Sequence, residues 1–390
     1  MSALAGLTVV AFEHAIAAPF ATRQLADQGA RVIKIERPGA GDFARGYDDR
    51  VRGLSSHFVW TNRSKESLAL DIKHAAARPW LERLVGKADV VVQNLAPGAA
   101  ERLGLGYERL AAANPGVVVC DISGYGSDGP LRDKKAYDLL IQSEAGFLSV
   151  TGTDDQPCKA GPSIADIAAG MYAYSNILTA LIERQRTGRG RRIDISMLES
   201  LVEWNSYPLY YAFDDAPPPA RTGASHATIY PYGPFPVRDG SVMLGLQNER
   251  EWVSFCDIVL QQPDLARDPR YDGNARRTLH RAQLRERIVE AFATLDVAQV
   301  EARLEAARIA NARVNDMRAV WSHPQLQARG RWGEAGSPAG KLPALFPPGS
   351  PPGAARMDPV PALGEHTESI LAELGASPRE VQAMRQAGAI

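Results

Sequence analysis

The first 126 residues alternate between short apolar runs and longer segments of helical spacing, and few folds accommodate that rhythm. LTVVAF (7–12), RVIKIE (31–36), SLALDIK (67–73), DVVVQN (89–94) and VVVCDISGYG (117–126) read as strands, while APFATRQLADQG (18–29) and AAARPWLERLVGKA (75–88) read as helices. A parallel neighbour strand needs a long crossover, usually helical, so strands separated in this way build β–α–β units. The expected fold class is α/β, with a large doubly wound parallel sheet at its centre.

Beyond the sheet the pattern changes. Residues 164–186 have helical spacing, and RTGRGRRIDISMLESLVEW supplies a glycine-marked turn, a short strand and another helix. DDAPPPAR (214–221) reads as a linker, because consecutive prolines forbid helix. YGPFPVRDGSVMLGL (232–246) reads as a hairpin turning at Asp239-Gly240, and helical segments follow to about residue 320. The stretch 342–366 is rich in proline and glycine yet too apolar for a solvated tail, and HTESILAELG forms a last helix ending at Gly375. The domains expected are a large α/β domain over 1–210, a smaller α+β domain over 222–320, and a segment over 321–390 that returns to the large one.

Composition narrows the function. The formal net charge of −1 provides no basic field for nucleic acid, and no apolar run reaches membrane-spanning length. The start lacks a positive n-region and does not read as a signal peptide. Cys120, Cys158 and Cys256 are far apart, with neither metal spacing nor a disulfide framework. A cytoplasmic enzyme or binding protein without a metal is expected.

The first β–α turn, FEHAIAAPFA, has no Gly-x-Gly-x-x-Gly, so backbone cannot close on a pyrophosphate in the dinucleotide manner. Polar residues instead gather where strands give way to loops: His14, Arg37, Lys73, Asn94, Arg102 and Lys135. Each taken singly is an ordinary surface residue. Ligands of open parallel sheets bind beyond the carboxyl ends of the strands, and there the set suits an anionic, nucleotide-like molecule. In GPSIADIAAGMYAYSNILTAL (161–181) the one charged side chain is Asp166. With Ser163 three residues earlier it forms a capping box in outline; the alternative is a carboxylate kept for chemistry.

Taken together, VIKIERPGAGDFARG, NRSKESLALDIK, ADVVVQNLAPGAAERLGLGYE, SIADIAAGMYA, RQRTGRGRRIDISM and LGEHTESILAELG resemble the family III CoA-transferases, a group that includes formyl-CoA transferase, carnitine CoA-transferase and α-methylacyl-CoA racemase. The resemblance implies an interlocked-ring homodimer, with CoA thioesters as substrates and no permanently bound cofactor. It implies Asp166 as nucleophile, and CoA contacts at His14, Ala15, Arg37, Leu70, Lys73, Asn94, Leu95, Arg102 and Lys135. Where formyl-CoA transferase has a glycine-rich loop, this chain has IYPYGPFPV with the single Gly233. Racemases of the family carry a histidine base where KAYDLL places Tyr137, and tyrosine titrates too high for a general base at neutral pH. Transfer is therefore favoured over racemisation, with a non-catalytic acyl-CoA-binding protein as a third reading. GYDD (46–49), RTGASHATIYPYGPFP (221–236) and LGLQNEREW (244–252) are similar to transferases that pair succinyl-CoA with itaconate, mesaconate, citramalate or malate. The acid's second carboxylate needs a cation, for which Arg45, Arg221 and His226 are candidates; Tyr137 and Gly233 complete the expected substrate contacts.

Overall fold

A computed structural model describes residues 2–390. The chain forms two compact units, one of residues 1–145, 160–205 and 324–390, the other of 146–159 and 206–323. The sequence reading assigned everything up to residue 210 to the large domain. The short segment 146–159 belongs instead with the second unit, where Gly152 accepts from the amide of Gly223 at 2.7 Å.

The first unit is built on a six-stranded parallel sheet: β1 (Thr8–Phe12), β2 (Arg31–Glu36), β3 (Lys65–Ala69), β4 (Val90–Gln93), β5 (Val118–Ser123) and β6 (Arg192–Ser196). Their order is β3-β2-β1-β4-β5-β6. The direction in which successive strands are added to the sheet therefore reverses between β1 and β4, which run parallel with Val10 beside Val91. Both central strands are buried, β1 from Val9 to Phe12 and β4 from Val90 to Val92, as a sheet covered on both faces requires. SLALDIK does not continue as strand to Lys73. β3 stops at Ala69, and the apolar pattern persists only because Leu70 and Ile72 turn into the core beside the sheet.

β3 is an edge strand, and the proline-rich segment seals it. The outward amide of Ser67 donates to His366 Nδ1 at 3.2 Å, that of Ala69 donates to Thr367 Oγ1 at 3.0 Å, and Ser67 O accepts from the amide of His366 at 3.0 Å. The open row of backbone groups that invites foreign strands is thereby satisfied within the chain. A helix that sequence reading missed, Pro378–Gln386, follows, started by a Ser377–Glu380 capping box.

Helix Ala17–Asp27 packs on the long helix Ile164–Thr187. Small buried residues face each other, Ala18 and Ala21 on one and Ala165, Ala168, Ala169 and Ala173 on the other. The approach is closest at Gly170, where a β-carbon would stand 2.7 Å from the carbonyl oxygen of Ala17. Only glycine permits that contact.

In the second unit, β7 (Tyr232–Val237), β8 (Gly240–Gly245) and β9 (Ala310–Arg313) form an antiparallel sheet, with β7 and β8 joined as the hairpin anticipated at Asp239-Gly240. Its core of Phe235, Trp252, Tyr271 and Phe292 is buried between this sheet and helices such as Arg281–Phe292. A two-stranded pair, β10 (Trp332–Ala335) and β11 (Leu342–Leu345), belongs to the first unit. Among the described residues no helix is long and apolar enough to cross a membrane.

Candidate active site

The topological reversal between β1 and β4 brings His14 and Asn94 together. Asn94 Oδ1 accepts from the amide of His14 at 3.0 Å, and its Nδ2 donates to His14 O at 2.9 Å. The next residue, Ala15, has φ of 60°, a conformation that strains a residue with a β-carbon. Its amide is held by Asp42 Oδ1 at 3.1 Å. Asp42 also accepts from the amide of Ala44 and, through Oδ2, from Lys34 Nζ at 2.8 Å.

Behind this loop lies a buried charge cluster. Lys65 Nζ donates to Glu13 Oε1 at 2.6 Å, to Pro19 O and to Asn62 Oδ1, while Thr22 donates to Glu13 Oε2 at 2.6 Å. The side chains of Glu13, Lys34, Asp42 and Lys65 have no exposed surface. Burial pushes the Lys65 ammonium down to about 7 despite the attraction of Glu13. For Lys34, burial is outweighed by Glu13 and Asp42, which raise its value. Two cations balance two carboxylates, and each charge depends on the others. Sequence reading missed this cluster, because a buried lysine in RVIKIE or NRSKES resembles an ordinary surface one.

Asp166 lies in the first turn of helix Ile164–Thr187, but the outlined capping box does not form: the Ser163 side chain makes no cap bond. Asp138 caps the helix from elsewhere in the chain, with Oδ1 accepting from the amides of Ala165 at 2.8 Å and Asp166 at 3.2 Å. The Asp166 carboxylate is thus spared, and it accepts instead from the backbone amide of Ala17 at the head of the facing helix. A helix head favours the ionised form of a carboxylate, but it does not prevail here. Burial, then the negative charge of Asp138, raises its pKa to about 7, opposed by the Ala17 amide.

A run of ring contacts begins at Tyr47, whose hydroxyl feels the charge of this carboxylate. Burial and the charges of Asp42 and Asp166 raise the Tyr47 hydroxyl to about 12. Tyr47 meets Phe43 at 5.8 Å and His57 edge-on at 5.3 Å, and Phe43 meets His14 at 5.1 Å. Tyr137 is 67% exposed and precedes helix Asp138–Glu144. Burial holds His14 below the ordinary imidazole value, so the ring favours its neutral form.

The other anticipated residues divide. Arg37, Lys73, Arg102 and Lys135 are exposed, and among the described residues none of them forms an ion pair. Leu95 is partly buried against the core, with its amide on Gln93 Oε1. Leu70 is buried in the core, so its side chain cannot line a ligand. Arg45 is also committed: its guanidinium grips both Glu36 oxygens at 2.8 Å, donates to Pro361 O and lies 3.7 Å over the Phe58 ring. Although burial opposes it, Arg45 brings Glu36 down to about 2, and this pairing replaces the substrate role expected for the arginine.

Arg221, His226 and Gly233 lie in the second unit. Arg221 donates to the carbonyls of Thr153 and Asp154, at 2.8 and 2.6 Å, so it ties down a loop. His226 Nδ1 accepts from the amides of Thr228 and Ile229, and its ring stacks on Tyr232 at 5.3 Å. Gly233 is required by packing, since a β-carbon there would stand 2.4 Å from Ser225 Oγ. All three have structural partners within their own unit.

A carboxylate spared from capping and facing a helix-head amide is equipped to attack an acyl group, and exposed cations after the strands of the same sheet suit an anionic carrier. Residues 4–367 match the model of CoA-transferase family III. The chain is 33% identical to the succinyl-CoA:glutarate CoA-transferase of Mus musculus, covering 96% of this chain and 87% of that protein. It is also 33% identical to the succinyl-CoA:mesaconate CoA-transferase of Haloarcula hispanica, covering 96% and 97%. A solved CAIB/BAIF family protein from Brucella suis superposes with a TM-score of 0.84 at 32% identity, covering 96% of this chain and 99% of that one. The chain belongs to CoA-transferase family III and is an enzyme of that class.

Proposed function

We propose that the enzyme moves CoA from succinyl-CoA to a short dicarboxylic acid of four or five carbons, with Asp166 as its nucleophile. Ionised Asp166 attacks the thioester carbonyl, and the carbon–sulfur bond breaks to leave a mixed anhydride and CoA thiolate. The thiolate attacks the aspartyl carbonyl, giving aspartyl-CoA thioester and free succinate. The acceptor carboxylate then attacks that thioester, and the released thiolate returns to the acceptor's acyl carbon, restoring Asp166. No net proton moves. The acid exchange is supported by the two relatives, whose names specify glutarate and mesaconate. The cations at Arg37, Lys73, Arg102 and Lys135 suit CoA phosphates, with Leu70 contributing through backbone alone.

The observation carrying this reading is the release of the Asp166 carboxylate from capping duty by Asp138. Incubation with succinyl-CoA followed by peptide mass analysis is expected to show an acyl or CoA adduct on the peptide containing Asp166. An Asp166→Ala enzyme with undiminished turnover refutes the assignment.

The active form is proposed as a homodimer. Tyr207, Leu209, Tyr210, Tyr211 and Phe213 all stand at least 50% exposed on and just beyond helix Ser206–Tyr211, a concentration of apolar surface that a second copy would cover. Sedimentation at micromolar concentration is expected to give twice the chain mass of 42.2 kDa; a monomer there overturns the proposal.

A further inference from the structure

We propose that His57, held by Asp48, is the residue that selects a dicarboxylate, receiving the carboxylate distal to the reacting one. The inference rests on the dicarboxylate reading and deepens it. A cleft of about 190 Å³ is lined by Ser56, His57, Trp60, Gly161, Pro162 and Ser163, the last of them three residues before Asp166 in the chain. Tyr47, whose ring meets His57, feels the charge of Asp166. At ~30 Å³ per liquid water the cleft has room for about six waters, ample for a short acid. Trp60 and Pro162 give it apolar walls suited to methylene groups. His57 gives it a polar end.

The histidine is built into position. Its Nδ1 lies 3.2 Å from Asp48 Oδ2, and its ring is braced by Tyr47. Asp48 in turn accepts from the amide of Ser56 at 2.9 Å, its hydroxyl at 2.8 Å and the amide of Arg50 at 3.0 Å. These bonds hold its carboxyl below the ordinary value, so it stays an anion. With Nδ1 committed, Nε2 is the ring atom left over, and among the described residues it makes no hydrogen bond. A carboxylate-held imidazole commonly serves in proton transfer, but exchange of CoA between two carboxylates moves no proton. What remains for such a ring in this cleft is recognition of negative charge. The cations first assigned to this task do not take it, since Arg45 is paired with Glu36 and Arg221 with backbone carbonyls.

The test is initial-rate kinetics with succinyl-CoA and two acceptors of equal length, glutarate and valerate, on wild type, His57→Leu and His57→Gln. In His57→Leu the KM for glutarate, and that for succinyl-CoA with its own distal carboxylate, are expected to rise about tenfold or more. At saturating succinyl-CoA the KM for valerate stays within about twofold, as does the Kd for free CoA, so the preference for the dicarboxylate collapses. His57→Gln, which keeps a donor, recovers part of it. Equal losses with both acceptors, a parallel change in CoA binding, or an unchanged preference overturns the assignment of His57 alone. A wild-type enzyme that transfers CoA to no dicarboxylate refutes the underlying reading and this one with it.

Discussion

Asp138 and Asp166 are two carboxylates joined through one helix end: the first binds the backbone amide of the second at 3.2 Å while its charge helps raise the second's pKa to about 7. The residue that frees the proposed nucleophile from capping is thus the same one that restrains its ionisation.

Asp138→Asn keeps an oxygen for the two amides and removes the charge. The acid limb of the pH–rate profile is expected to move toward lower pH by up to about one unit, since a like charge is lost. Rate measurements from pH 5 to 9 check this, and a limb that stays in place shows that Asp138 acts only as a cap.

Asp166→Asn separates chemistry from stability. Turnover falls by ~10⁴-fold or more, as expected for loss of a covalent nucleophile. Because the folded value of about 7 lies above the ordinary 3.8, the native state retains a proton that the unfolded chain has released between those values. The stability contributed by this group is complete below about pH 4 and is lost as pH rises through 7. The variant should therefore gain on wild type in thermal unfolding as pH rises from 4 to 8, and a constant gap contradicts the shift.

Gly170→Ala places a methyl group 2.7 Å from the Ala17 carbonyl, where backbone rather than a flexible side chain must yield. A loss of ~1–3 kcal/mol is expected from overpacking. Activity falls as well, because Ala17 also supplies the amide that faces Asp166. Denaturant unfolding and turnover, measured together, test the coupling.

Glu13→Gln leaves Lys34 and Lys65 buried with less opposing charge. The cost is ~3–5 kcal/mol, the range for breaking a buried ion pair from one side. Equilibrium unfolding measures it; a change under about 1 kcal/mol shows that the cluster does not depend on that carboxylate.

The sheet was legible because its strands are short, apolar and separated by helical patterns, a local signal repeated along the chain. The hairpin at Asp239-Gly240 was legible for the same reason. SLALDIK misled because alternation records burial: Leu70 is buried and Ile72 partly buried beyond the end of β3, with the Leu70 amide making one last bond to Glu36 O. What is legible is what position along a strand dictates, as with His14 and Asn94, which meet beyond β1 and β4. It was not legible where partners come from afar. Nothing in SIADIAAG signals that Asp138 does the capping, nothing in GDFARG signals that Glu36 occupies Arg45, and the pairing of His57 with Asp48 emerges only once the short turn between them is folded.

The seal on β3 gives the chain a temporal order. Ser67 and Ala69 are made early, yet the groups that close their edge, His366 and Thr367, are about three hundred residues downstream. While synthesis proceeds, the nascent sheet has one border unclaimed until the last helices arrive. Premature termination upstream of residue 366 would thus yield a chain that keeps Asp166 and has a permanently adhesive flank.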